Sequence, residues 1–265
     1  MSEAVADLVH GPLRPGRVVA GTRLALYVTT GDPGRPAVAL IHPGAVRVPN
    51  GVLLPHAAPP QPRPGTPAVI GAGRITVGPW CVRAEGSWAP PRAQGLLTGP
   101  VRADRYAELA HAAGPGGPEL AGLRAALRAD DPERIVGAGR ALVGRGPGLT
   151  PSGDDVLCGA LLARHATGRP TGALAAAVRD AEARTPLVSA ALLRHAVRGE
   201  CIPQLAGVLA GLTSPSSLDV RPLLAVGHHS GSDLARGVVM GLAARNTARA
   251  LCCTAIATGS RAGTS

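Results

Sequence analysis

A chain of 265 residues with no phenylalanine, and with only 2% of its residues drawn from Phe, Trp and Tyr, must close its interior with small side chains. Apolar residues still make up 45% of it, enough for a sizeable core. Leu, Val and Ala are the available fillers, and Ala-rich helices packed closely together are the natural way to use them. The length fits one large or two modest domains.

The hydrophobic period changes along the chain. Residues 1–16 read as a polar, proline-bearing lead-in. Short apolar runs follow at 23–28, 37–41, 46–48, 51–54, 68–70, 74–77 and 80–84, separated by turn signals such as Gly31-Asp-Pro-Gly34 and Pro49-Asn-Gly51. Asn50-Gly51 carries the signal of a hairpin turn. This pattern predicts a small sandwich or barrel over residues 1–95. A Pro- and Gly-rich stretch, 86–100, ends it. Helical spacing then predicts helices near 102–113, 118–129, 132–143, 155–167, 171–183, 186–198, 201–212 and 233–247. The expected class is α+β: a β-rich N-terminal domain, an Ala-rich helical domain over 101–250, and a tail over 251–265.

Gly144-Arg-Gly-Pro-Gly-Leu-Thr-Pro-Ser-Gly-Asp-Asp-Val-Leu-Cys-Gly159 sits inside the helical part. A glycine-rich turn there runs into a helix start. Ser152 and Asp155 have capping-box spacing, which assigns the cap to Ser152 and makes Asp155 its partner. A weaker copy follows, in which Ser152-Gly-Asp-Asp-Val-Leu-Cys-Gly159 aligns with Ser230-Gly-Ser-Asp-Leu-Ala-Arg-Gly237. Each alone is most simply a capped helix. Together, two helix N-termini aimed at one point are a site for an anion. Gly148, Thr150, Ser152, Gly153, Asp155, Ser230, Gly231 and Asp233 are the candidate binding residues, and the Gly153 N–H is expected to touch the ligand. Asp154 has no capping duty and is a candidate catalytic group. With Asp155 it forms the paired carboxylate that could hold Mg²⁺ and a phosphate. His228, beside the second turn, is a candidate proton donor. Thr185-Pro186 reads as an N-cap followed by proline at the first helical position. The Walker A and dinucleotide fingerprints are absent.

The net charge is +10, but all 27 basic residues are arginine. Arg, Ala, Gly and Pro codons are GC-rich, so the excess is at least partly compositional. No basic run and few stacking aromatics support nucleic-acid binding. Five cysteines without a C-x-x-C pair indicate neither a disulfide framework nor a zinc knuckle. The sequence has no signal-peptide pattern and no long apolar window, so a cytoplasmic protein is expected.

Gly146-Pro-Gly-Leu-Thr-Pro-Ser-Gly-Asp-Asp155 and the Gly-His-x-Ser-Gly-x-Asp pattern at 227–233 resemble the motifs of a bacterial family that includes the AllH-type subunit of oxamate carbamoyltransferase. Thr185–Ser189 fits the helix between them. The resemblance is clearest over 135–245, and before that rests mainly on Pro49-Asn-Gly-Val52. It implies carbamoyl transfer between carbamoyl phosphate and oxamate, giving oxalurate and phosphate, in a complex with two unlike partner subunits. The alternative is a non-catalytic, carboxylate-binding regulatory or scaffolding subunit docked on an enzyme.

Overall fold

The structure, a computed structural model, describes residues 1–55 and 59–243. Seven strands form one curled sheet: β1 (Arg14–Gly21), β2 (Ala25–Thr29), β3 (Ala37–Ile41), β4 (Gly51–Leu53), β5 (Pro67–Gly71), β6 (Arg74–Val77) and β7 (Trp80–Arg83). Their order is β4-β3-β2-β1-β5-β6-β7, and every pairing is antiparallel except β3 with β4. Side chains alternate as the pleat requires. Leu26, Val28, Val38 and Leu40 join Ile70, Ile75 and Val77 on one face, while Ala25, Ala39, Ile41 and Tyr27 cluster on the other. The helix over Leu187–Val197 packs against β3.

Three sequence expectations fail here, each for a local reason. The lead-in is not loose. Val5, Leu8 and Val9 are buried, α1 (Ala6–His10) lies among them, and β1 occupies the middle of the sheet. The Ser2 N–H donates to Gly51 O and the Trp88 N–H to Met1 O. Pro15 and Gly16 disguised β1 as a turn, yet Gly16 is required there because a Cβ would stand 2.4 Å from Thr29 O. Residues 46–48 form no strand, and Asn50-Gly51 is no hairpin turn. Asn50 is buried and its side-chain amide donates to Ala37 O at 2.9 Å, which docks β4 parallel to β3.

The helical part contains α2 (Ala103–Ala113), α3 (Ala121–Ala129), α4 (Pro132–Leu142), α5 (Ser152–Ala166), α6 (Gly172–Ala177), α7 (Leu187–Val197), α8 (Pro203–Gly211), α9 (Arg221–Leu224) and α10 (Ser230–Leu242). The single helix expected at 171–183 is broken after α6, and α9 was not foreseen. The expected end of the last helix at 247 lies outside the described residues. The Pro-rich stretch is tied down: Ala93 is buried, its N–H donates to Gly199 O, and Cys201 N–H donates to Pro91 O. The arginines are scattered and many are paired, as in Arg140–Asp180, Arg164–Asp130, Arg194–Glu182 and Arg221–Asp219. Among the described residues no helix is long and apolar enough to cross a membrane.

Candidate functional site

The two Ser-Gly turns begin α5 and α10, and both helices start one turn earlier than expected. Pro151, not Ser152, is the N-cap of α5, and its carbonyl accepts from Asp154 and Asp155 N–H at 2.9 and 3.2 Å. The capping box therefore does not form. The Gly153 N–H is also committed, donating to Arg145 O at 2.9 Å, and a Cβ on Gly153 would sit 2.1 Å from Leu142 O. The second copy repeats this. Gly231 N–H donates to Val226 O at 3.0 Å, and its Cβ would stand 1.9 Å from Leu223 O. Both glycines are there for close backbone packing, and neither offers its N–H to a ligand.

The helices cross at glycines. A Cβ on Gly159 would meet Leu234 O at 2.1 Å, and one on Gly237 would meet Val156 O at 2.1 Å. A Cβ on Gly241 would stand 2.6 Å from Ala160 O. The contact is reciprocal, since Gly159 and Gly237 are equivalent in the repeat, as are Val156 and Leu234. It brings the turns together as expected, and the Thr150 and Ser230 hydroxyls lie 2.9 Å apart.

Asp154 is fully buried. Its Oδ1 accepts from Gly144 N–H at 2.8 Å, and its Oδ2 accepts from Ser189 Oγ at 2.7 Å and from Thr185 Oγ1. Thr185 is not the N-cap of α7, a place Pro186 takes, and spends its hydroxyl on this carboxylate. Asp154 thus ties α5 to the loop before it and to the start of α7. The residues do not fit the Mg²⁺ that adjacent carboxylates suggested, because both Asp154 oxygens are engaged by protein donors. Among the described residues no group of three or more His, Cys, Asp or Glu is placed to hold a metal ion.

Two cavities flank the crossing. The larger, about 400 Å³, is lined by Ser152, Gly153 and Val156 of α5, by His229, Asp233 and Arg236, by Arg145, and by Gly116, Gly117 and Glu119. Arg236 pairs with Asp233 there. The smaller, about 210 Å³, is lined by Asp155, Cys158, Thr150, Ser230 and Leu234, with Tyr27, Val46, Val48 and Pro49 facing them from the β-rich part. Each cavity takes a serine and an apolar residue from one copy and an aspartate from the other. The expected single pocket is in fact two. His228 and Gly148 are exposed and line neither, though His229, in edge-to-face contact with His228, lines the larger.

Asp155 is only 6% exposed, and its Oδ2 has no hydrogen-bond partner among the described residues. Burial raises its pKa from 3.8 to about 8. The Ser230 hydroxyl opposes that rise, Asp233 and Asp154 add to it, and Thr150 opposes it again. Burial, and the Asp155 and Asp154 carboxylates, push the Cys158 thiol up as well. Because the folded chain holds the Asp155 proton more tightly than the unfolded chain, the stability linked to it is complete below about 3.8 and is lost as pH rises towards about 8. Denaturant titrations between those limits should show the wild type weakening relative to Asp155→Asn. Parallel curves would mean the carboxyl titrates normally.

Residues 142–242 match the family model described as oxamate carbamoyltransferase subunit AllH, which bears out the resemblance over that span. The match takes in both turns, α5, α7 and α10, and leaves out the β-rich wall of the smaller cavity. No solved structure matches the chain. Sequence reading missed Arg145, Arg236 and Cys158. Arg236 and Cys158 occupy equivalent places in the repeat, so the alignment of the two copies could have pointed to them.

Proposed function

We propose that this chain is the small-anion-binding subunit of a carbamoyltransferase assembly that moves a carbamoyl group from carbamoyl phosphate to oxamate, with partner subunits completing the site. The matched family and the larger cavity both support this reading. The observation that carries it is the grouping of Arg145, Arg236 and His229 around the start of α5. In the transfer, the acceptor nitrogen bonds to the carbamoyl carbon and the C–O bond to phosphate breaks, so negative charge builds on the departing phosphate. Guanidinium groups stabilise that charge where it develops. Arg145 is exposed and free to swing onto the phosphate, whereas Arg236 is held by Asp233 and gives the cavity a fixed donor. His229 rather than His228 is placed to serve the phosphate. Asp154 holds the loop in place and takes no part in the chemistry. A cytoplasmic location goes with this reading.

Arg145→Glu is the test. It should weaken carbamoyl phosphate and phosphate binding tenfold or more, about 1.4 kcal/mol, by calorimetry. An exposed side chain should change unliganded stability by no more than about 0.5 kcal/mol. An affinity unmoved by the substitution would remove this cavity from the reaction.

A further inference from the structure

The smaller cavity poses a separate chemical question. Its walls are mostly aliphatic, and among the described residues no Arg or His lines it. Its two acidic side chains are in different states. Glu200 is held by His195 at 2.6 Å, by Arg198 and by Arg92. Among the described residues Asp155 has no cation beside it, and its Oδ2 is buried without a partner. The equivalent carboxylate across the crossing, Asp233, is neutralised by Arg236, and Cys158 stands where an arginine would do the same for Asp155. The repeat therefore carries one compensated and one uncompensated aspartate.

We propose that the smaller cavity binds the primary amide group of a small, uncharged ligand, with the Asp155 carboxyl pairing to it through both oxygens. A carboxyl surrounded by apolar walls and without a cation stays protonated, so it offers one O–H donor and one carbonyl acceptor side by side. A primary amide presents the complementary acceptor and donor on one edge. Thr150 and Ser230 border the same place and can take the second amide hydrogen. A carboxylate ligand is disfavoured, because it would bury a negative charge near Asp154, Asp155 and Asp233 with no cation among the described residues lining the cavity. The other titratable groups facing Asp155 do not disturb this between pH 6 and 8. Tyr27 and Cys158 are shifted upward and stay neutral, Asp233 is paired with Arg236, Asp154 accepts three hydrogen bonds, and Glu200 is paired. The site is independent of the phosphate-binding reading, because it lies on the opposite side of the α5–α10 crossing.

Butyramide, butylamine and butyrate differ in little but the head group, and calorimetry on the intact chain from pH 6 to 9.5 separates them. Butyramide should bind with an affinity that is flat at the acid end and falls tenfold per pH unit above about 8. Butyrate should be at least tenfold weaker. Asp155→Asn keeps an acceptor and a donor side by side, so it should retain butyramide binding and lose the pH dependence. Asp155→Leu should abolish it. Butylamine binding most tightly, with affinity rising towards pH 9, would overturn the proposal in favour of an ionised Asp155 and a cationic ligand. Preference for butyrate, or no butyramide binding at millimolar concentration to the folded wild type, would overturn it outright. Arg145→Glu should leave butyramide affinity unchanged, which separates failure of this site from failure of the phosphate site.

Discussion

Replacing Asp154 by alanine is expected to cost about 3–5 kcal/mol, much of the stability of an ordinary domain. The carboxylate accepts from Gly144 N–H, Ser189 Oγ and Thr185 Oγ1 at a fully buried position. Alanine leaves those donors without an acceptor, and buried donors bear the desolvation cost in full. Asparagine keeps the shape but turns one oxygen into a donor facing other donors, so about 1–3 kcal/mol should go. Guanidinium denaturation of the three proteins measures both. The result that would sink this account is an asparagine variant as stable as the wild type but inactive in the reconstituted complex. Asp154 would then be spending its charge on substrate and not on α7.

Gly159→Val and Gly237→Val should each destabilise the chain by about 3 kcal/mol or more, at or beyond the upper end of ordinary overpacking. A side chain at either place must push apart two backbones, because its first carbon already lies 2.1 Å from a carbonyl oxygen. Gly137 in α4 supplies the control, since a Cβ there meets nothing within 4 Å. Gly137→Ala should gain up to about 1 kcal/mol from helix propensity. Thermal melts of the three variants decide the matter by sign: all three moving together would mean that the crossing has room to spare.

The division into a strand-rich beginning and a helical remainder was legible, because period-2 and period-3.6 patterns meet at residues 86–100. Strand β1 was not, since Pro15 and Gly16 imitate a turn and only the approach of Thr29 O explains the glycine. The meeting of the two turns followed from the repeat. What the repeat could not show was which atoms face which cavity. Ser152 and Asp155 have capping spacing, yet Pro151 sets the start of α5 and frees both side chains for opposite sides of the crossing. The adjacent Asp154 and Asp155 look alike in sequence, and only the three-dimensional placement of Thr185 and Ser189 separates a buried acceptor from a cavity wall. Arg145 gave no signal because an exposed loop arginine is unremarkable in a chain with 27 of them.

At the glycine crossing, the hydrogen that stands in place of each Cβ points at a carbonyl oxygen of the other helix. This is the arrangement of a weak Cα–H···O contact, worth about 0.5–1 kcal/mol apiece. Gly159 to Leu234 O, Gly237 to Val156 O and Gly241 to Ala160 O form a short backbone ladder between two helices. The closest approach of α5 and α10 is thus a main-chain contact. Side chains on either flank can then change without shifting the alignment. Asp233 keeps its arginine and Asp155 faces a cysteine while the two helices stay in step, so two cavities of different chemistry share a common frame.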